Sequence, residues 1–196
     1  MFDLICVTNR RLCSDFPAQI ERVAAAKPAA VILREKDLSE AEYKALALDV
    51  KKICEKYSVP LILHSFYKAA AELNIRAVHL PLPLLKTMTD SEKSLFTVLG
   101  ASCHSIDDAL EAKHLGCTYI TAGHIFATDC KRGVPPRGLD FLKEVCGCVD
   151  IPVYAIGGIN PENSVLAKSA GASGVCVMSG FMRCDNPMEY VKSFGC

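Results

Sequence analysis

The sequence predicts an α/β protein, a single (β/α)8 TIM barrel over residues 1–196, and three observations support this fold. Short apolar runs recur about every 20–30 residues, with amphipathic stretches between them. The length suits one domain with a sizeable core. The last two runs end in Gly157-Gly158 and Ser179-Gly180, where a barrel carries its phosphate-binding loops. An open doubly wound sheet is the alternative, but it favours a glycine-rich turn after the first strand, where residues 8–11 supply none.

The predicted strands are short and mostly apolar, without strict alternation of apolar and polar residues. This pattern is typical of parallel strands that are covered on both faces. The strands are predicted at residues 4–8, 30–34, 61–64, 77–80, 97–102, 119–123, 153–157 and 175–179.

Three of the intervening helices have recognisable start signals. Ser39, followed three residues later by Glu42, has the pattern of a capping box. Ser105 precedes two aspartates, which suit the first turn of a helix. Asn160 is followed by Pro161, and proline is favoured at the first helical position.

The composition argues against several classes of function. The 22 basic and 22 acidic side chains cancel and form no polybasic block, so we expect no nucleic-acid partner. No apolar run approaches the ~18 residues of a membrane span, and the first residues lack signal-peptide features, so we expect no membrane association. The 11 cysteines are odd in number, and Cys146-Gly147-Cys148 lacks partners at zinc-ligand spacing. We therefore expect reduced thiols in a cytoplasmic protein.

The glycine-rich strand ends predict a binding site for a phosphorylated small molecule. Backbone that ends in Gly157-Gly158 and in Ser179-Gly180 leaves N–H groups available at one rim of the sheet. Such groups, helped by a helix N-terminus, bind anions.

Charged and polar residues follow three other strands. Arg34 and Lys36 lie after the second strand, and a solvated turn is the alternative interpretation of this charged run. Directed into the mouth, Arg34 would bind a carboxylate or phosphate through two parallel N–H bonds. Ser102 and His104 follow the fifth strand and supply polar contacts, unless this segment is only a capped turn.

The segment after the sixth strand carries the candidate catalytic residue, His124. We expect its imidazole at the barrel mouth, opposite the phosphate loops, where it can take and give a proton near neutral pH. Thr128, Lys131 and Arg132 follow in a long loop and suit an anionic substrate. The third and fourth strands end in His64-Ser65 and in residues 80–83, which offer no carboxylate pair for Mg²⁺. We therefore expect no metal.

In this order, the motifs resemble the thiamine phosphate synthase/TenI superfamily over nearly the whole chain. Leu33-Arg34-Glu35-Lys36-Asp37 is similar to its charged loop on the pyrimidine side. Residues 100–105 are similar to its turn after the fifth strand, and residues 155–159 and 177–180 to its phosphate-binding loops.

The TenI-type branch is the better match. Residues 123–133 are very similar to the TenI segment whose histidine is the proposed acid/base of thiazole tautomerisation, and His124 matches that histidine. Thiamine phosphate synthases instead place Asn-Asp after strand three and a further Asp after strand four, which bind Mg²⁺ and pyrophosphate. They also carry Thr-x-Thr-Lys after strand six, where this chain has Thr128-Asp129-Cys130-Lys131.

The resemblance implies a thiazole tautomerase of thiamine biosynthesis, which aromatises a carboxythiazole phosphate by moving one proton and needs no cofactor. His124 would shuttle the proton, the Gly157-Gly158 and Ser179-Gly180 amides would bind the phosphate, and Arg34 or Lys131 would bind the carboxylate. A divergent, Mg²⁺-dependent thiamine phosphate synthase and a non-catalytic regulatory protein that binds thiazole phosphate are the alternatives. A homodimer is compatible with the apolar rim at residues 82–85.

Overall fold

The computed structural model describes residues 2–131 and 133–195, in which eight parallel strands close into a barrel in sequence order. The last strand pairs with the first, so no sheet edge is left open and the doubly wound alternative is wrong. The strands are β1 Asp3–Val7, β2 Ala30–Leu33, β3 Leu61–His64, β4 Ala77–Pro81, β5 Val98–Cys103, β6 Tyr119–Gly123, β7 Val153–Ile156 and β8 Gly174–Val177. The predicted TIM barrel is confirmed, although β8 ends at Val177, before the predicted Ser179.

Helices follow the strands and cover the outside of the barrel. They are α1 Phe16–Ala25, α2 Glu40–Tyr57, α3 Tyr67–Glu72, α4 Leu82–Lys86, α5 Asp90–Lys93, α6 Ile106–His114, α7 Gly138–Cys148, α8 Pro161–Ser169, α9 Ser179–Arg183 and α10 Pro187–Lys192. The three predicted start signals are confirmed. Ser39 and Glu42 form a reciprocal capping box before α2, the Ser105 side chain accepts from the backbone N–H of Asp108, and Asn160 caps α8.

The strands are apolar throughout because each has two covered faces. Along β1, Leu4 and Cys6 belong to the large cluster between the barrel and its helices. Ile5 and Val7 belong to a separate cluster that gathers alternate residues from strands around the ring, which places it inside the barrel. No helix within the described residues is long and apolar enough to cross a membrane.

Candidate active site

The carboxyl ends of the strands surround a cavity of about 230 Å³. This is the end of a parallel barrel at which ligands bind. The cavity brings together ten of the predicted site residues, Gly180 being outside its lining: Arg34, Lys36, Ser102, His104, His124, Thr128, Lys131, Gly157, Gly158 and Ser179. Arg132 lies outside the described residues.

The charged run after β2 is a solvated turn only in part: Lys36 and Asp37 are exposed turn residues, but the run also reaches the cavity and the protein interior. Arg34 and Lys36 line the cavity, whereas the intervening Glu35 is 3% exposed. The carboxylate of Glu35 accepts the hydroxyl of Thr8 at 2.7 Å and the backbone N–H of Arg10 at 3.0 Å. The same Thr8 hydroxyl oxygen accepts the backbone N–H of Arg34 at 2.9 Å. A buried carboxylate thus ties the β1 and β2 loops together and fixes the position of Arg34.

The acidic members of this run are neutralised by residues after β1. The Asp37 carboxylate accepts hydrogen bonds from both terminal nitrogens of Arg10, at 2.6 and 2.7 Å. It also accepts one from Arg11 at 2.7 Å. These donated hydrogen bonds hold the pKa of the Asp37 carboxyl well below its usual range. Glu35 and Asp37 are therefore paired with arginines of the β1 loop. The positive charges of Arg34 and Lys36 remain available at the cavity.

Arg34, Lys36 and Lys131 lie at the mouth without an acidic partner among the residues that the structure describes. Within residues 2–131 and 133–195, no ion pair involves Arg34, Lys36 or Lys131. Partial burial, followed by the nearby charges of Arg34 and Lys131, lowers the pKa of Lys36. No carboxylate belongs to the described lining of the cavity. Such clustering of like charges favours a bound anion.

His124 is buried at the end of β6, with 8% of its surface exposed. Its Nε2 lies 3.2 Å from the carbonyl oxygen of Val134. A carbonyl only accepts, so this contact assigns the proton to Nε2 in the neutral ring and leaves the lone pair on Nδ1. In the neutral ring, Nδ1 is therefore the nitrogen that can accept a proton.

The backbone of His124 adjoins the predicted phosphate loop at Gly157, so the expected placement of this residue opposite that loop is wrong. β6 and β7 are neighbours, and Gly157 has a φ of +97° and packs directly against the His124 backbone. A Cβ on Gly157 would overlap the Cβ of His124 and approach its Cα to 2.8 Å. The glycine is needed here because only it allows this contact at a positive φ.

The phosphate loops have backbone donors to offer. Within the described part of the chain, no hydrogen bond takes up the N–H groups of Gly157, Gly158 or Ser179. Gly180 does not line the cavity. Its Cα faces α10, since a Cβ there would overlap the hydroxyl of Tyr190. Packing against α10 is thus a structural reason for this glycine, and its predicted role in phosphate binding stays a prediction.

Ser102 lies in β5 and His104 directly follows that strand, and both line the cavity. His104 Nδ1 lies 2.7 Å from the carbonyl oxygen of Gly123, and its backbone N–H donates to Asp108. Ser102 Oγ lies 2.9 Å from Nε2 of the buried His79. Hydrogen bonds to neighbouring residues therefore fix both side chains at the cavity.

A second cavity of about 280 Å³ adjoins the first and shares Lys36, Ser102 and His104 with it. His64, at the end of β3, and Leu82, which follows β4, also line it. Burial, with smaller contributions from His79, Arg34 and Lys36, lowers the pKa of His64 to about 2. The imidazole is therefore neutral.

The donor set at this end of the barrel does not fit Mg²⁺, which prefers carboxylate oxygens. The carboxylate of Glu35 is engaged by Thr8 and Arg10, and that of Asp108 by the His104 N–H. Among the residues described, no group of three His, Cys, Asp or Glu side chains could hold a metal ion.

Thr8, Glu35, His79 and Tyr119 support the site and were missed from the sequence. Thr8 is the last residue of the first predicted strand, which was the available signal for a mouth residue. His79 lies inside an apolar run, and nothing in its spacing distinguishes it from a core residue.

Comparison with known proteins assigns this barrel to a family. Residues 4–181 match the family described as thiamine monophosphate synthase (TMP-TENI). A thiamine-phosphate synthase of Clostridium acetobutylicum is 36% identical over 186 residues, which cover 92% of this chain and 87% of the relative. Thiamine-phosphate synthase 2 of Streptococcus pneumoniae serotype 4 is 35% identical over 198 residues, covering 97% of this chain and 92% of the relative.

Solved structures agree. A thiamine phosphate pyrophosphorylase from Pyrococcus furiosus superposes with a TM-score of 0.85 at 25% identity, covering 99% of this chain and 94% of that one. A 3-hexulose-6-phosphate synthase, with a TM-score of 0.73 at 14% identity and 98% coverage of both chains, shares the fold alone. The family match over most of the chain and the near full-length relatives place this protein in the thiamine monophosphate synthase (TMP-TENI) family.

Proposed function

We propose that this protein is a thiazole tautomerase of thiamine biosynthesis, which aromatises a phosphorylated carboxythiazole by acid/base transfer of one proton. The observation that carries the proposal is the contact between His124 and the phosphate loop at Gly157, in a cavity lined by three cations. A phosphate on the loop amides would bring the attached ring beside the imidazole. A carboxylate on that ring would meet Arg34 or Lys131.

This reaction moves a single proton between two atoms of the substrate, so one imidazole can act as both base and acid. His124 Nδ1 takes a proton from the non-aromatic ring, which makes the imidazole cationic. The same group then returns a proton to a different atom of the substrate, so product and substrate differ only in where one hydrogen is bound. Such a positioned base contributes roughly 10²–10⁴-fold in rate. The cations balance the charge of the phosphate and carboxylate, and they require no movement during the reaction.

Thiamine phosphate synthase is the second candidate, and the names of the relatives favour it over the tautomerase. The second cavity, which shares three residues with the first, also offers room for a second ring-bearing substrate. The donor set described above does not fit the Mg²⁺ that the synthase resemblance implies. For this reason the geometry supports proton transfer better than metal-assisted coupling.

Parallel assays on the purified protein separate the candidates. The first follows conversion of the non-aromatic carboxythiazole phosphate by NMR in the presence of EDTA, and we expect turnover. The second supplies pyrimidine pyrophosphate, thiazole phosphate and Mg²⁺, and we expect no thiamine phosphate. Coupling without tautomer conversion would establish the synthase instead. Tight binding of the thiazole phosphate with neither reaction would support a regulatory binding protein.

A further inference from the structure

A chain of buried polar side chains leads from the barrel interior to the cavity. The hydroxyl of Tyr119 lies 2.9 Å from Nδ1 of His79, and Nε2 of His79 lies 2.9 Å from Oγ of Ser102. Tyr119 and His79 are 6% and 3% exposed and do not line the cavity, whereas Ser102 does. The same Nε2 of His79 also lies 3.4 Å from Oγ1 of Thr121, a longer contact.

The direction of each hydrogen bond follows from the number of protons available. Among the described residues, the hydrogen-bond partner of the Tyr119 hydroxyl is Nδ1 of His79. The hydroxyl hydrogen therefore has an acceptor only if the hydroxyl donates to Nδ1. Nδ1 must then be unprotonated, and the neutral ring carries its proton on Nε2. Nε2 donates to Ser102 Oγ, which leaves the hydrogen of Ser102 for another acceptor.

The surroundings keep this arrangement in place. Gly100 makes room for the Tyr119 ring, because a Cβ there would overlap it. The imidazole of His64 stacks on His79 with ring centroids 5.7 Å apart and is itself neutral. Burial lowers the pKa of His79 to about 3, so the ring carries a single proton at neutral pH.

We propose that Tyr119 and His79 form a relay that fixes the hydroxyl of Ser102 as a hydrogen-bond donor to the ligand. His79 is then a positioning residue, which acts through Ser102 without touching the ligand. The relay selects ligands that present an acceptor to Ser102, such as a carboxylate oxygen, and disfavours those that present a donor there. The identity of this ligand rests on the proposed function, whereas the proton positions do not.

The first test reads the proton positions without any ligand. A long-range ¹H–¹⁵N spectrum of uniformly labelled protein at pH 7, assigned with His79→Gln, should report His79 with its proton on Nε2. In Tyr119→Phe we expect a shift of the His79 nitrogens toward a mixture of tautomers. A His79 ring protonated on Nδ1 or on both nitrogens in the unsubstituted protein would overturn the relay.

The second test measures binding of carboxythiazole phosphate by calorimetry. Tyr119→Phe should bind roughly three- to ten-fold more weakly, as expected for one hydrogen bond of altered geometry. Tyr154→Phe is the matched control. Its hydroxyl donates to Asp3 at 3.0 Å and its ring packs against Tyr119, and within the described part of the chain it makes no hydrogen bond or ring contact with His79. Binding to this variant should change less than two-fold.

Non-additivity distinguishes a relay from a general loss of packing. Once Ser102→Ala is present, Tyr119→Phe should weaken binding no further. Equal effects of Tyr119→Phe with and without Ser102 would overturn the proposal, as would equal effects of Tyr119→Phe and Tyr154→Phe. If the unsubstituted protein does not bind the probe at all, the proposed function fails, and the nitrogen spectrum still decides the relay.

Discussion

Replacing Gly157 by alanine should damage both the fold and the site, because this glycine contacts His124. The residue has a φ of +97°, in the region that glycine tolerates and alanine does not. Placing a Cβ residue at positive φ costs about 1–2 kcal/mol. The added methyl would also overlap the Cβ of His124. Overpacking of this kind costs about 1–3 kcal/mol. Together we expect Gly157→Ala to lower the free energy of unfolding by about 2–5 kcal/mol.

Gly116→Ala isolates the backbone part of this effect. Gly116 has a φ of +89°, and a Cβ there would meet nothing within 4 Å. Its variant should lose only about 1–2 kcal/mol. The difference between the two variants is then the steric conflict with His124.

Urea denaturation of the two variants, followed by far-UV circular dichroism, measures both values. The rate of tautomer conversion should fall about ten- to hundred-fold in Gly157→Ala, because the imidazole is displaced, and stay near that of the unsubstituted protein in Gly116→Ala. If Gly157→Ala is no less stable than Gly116→Ala, the close contact with His124 does not exist and the reasoning fails.

Two further predictions concern charge. Lys36→Met should leave the ligand-free protein at least as stable as before, because it removes a like charge beside Arg34 and Lys131. The same variant should gain less in melting temperature from added inorganic phosphate, and an unchanged gain would contradict a role in anion binding. Burial lowers the pKa of His64 to about 2 and that of His79 to about 3. Both rings regain an ordinary pKa of about 6.5 on unfolding, so the unfolded state binds more protons below that pH. The free energy of unfolding should therefore fall as pH falls from about 6.5 to 5, by up to ~1.4 kcal/mol per pH unit for each ring. His79→Gln should reduce this slope, and an equal slope would show that His79 does not contribute.

The barrel and most of the candidate site could be predicted because strand ends can be located in a sequence. Once the strands are placed, their carboxyl ends meet at one end of the barrel, and residues as distant as Arg34 and Ser179 become neighbours. The small errors at the strand ends did not change which residues reach the mouth. The function followed less directly, because the sequence resemblance favoured the tautomerase whereas the names of the relatives favour the synthase.

The supporting contacts could not be predicted, since they depend on side-chain directions. Glu35 belongs to a charged run for which a solvated turn is the alternative interpretation, yet it is buried on Thr8. The partnership of His79 with Ser102 depends on the register of β4 against β5, in which Pro81 pairs with Ser102. Nothing in the local sequence specifies that register. The expected placement of His124 opposite the phosphate loops was wrong because β6 and β7 are adjacent strands.

The most direct test of the central claim is the rate of tautomer conversion in His124→Ala, measured beside its affinity for thiazole phosphate. We expect the rate to fall by at least about ten-fold while the affinity stays within a few-fold, because the loop amides and cations remain in place. Undiminished conversion in a variant that still binds the phosphate would contradict the assignment of His124 as the proton carrier.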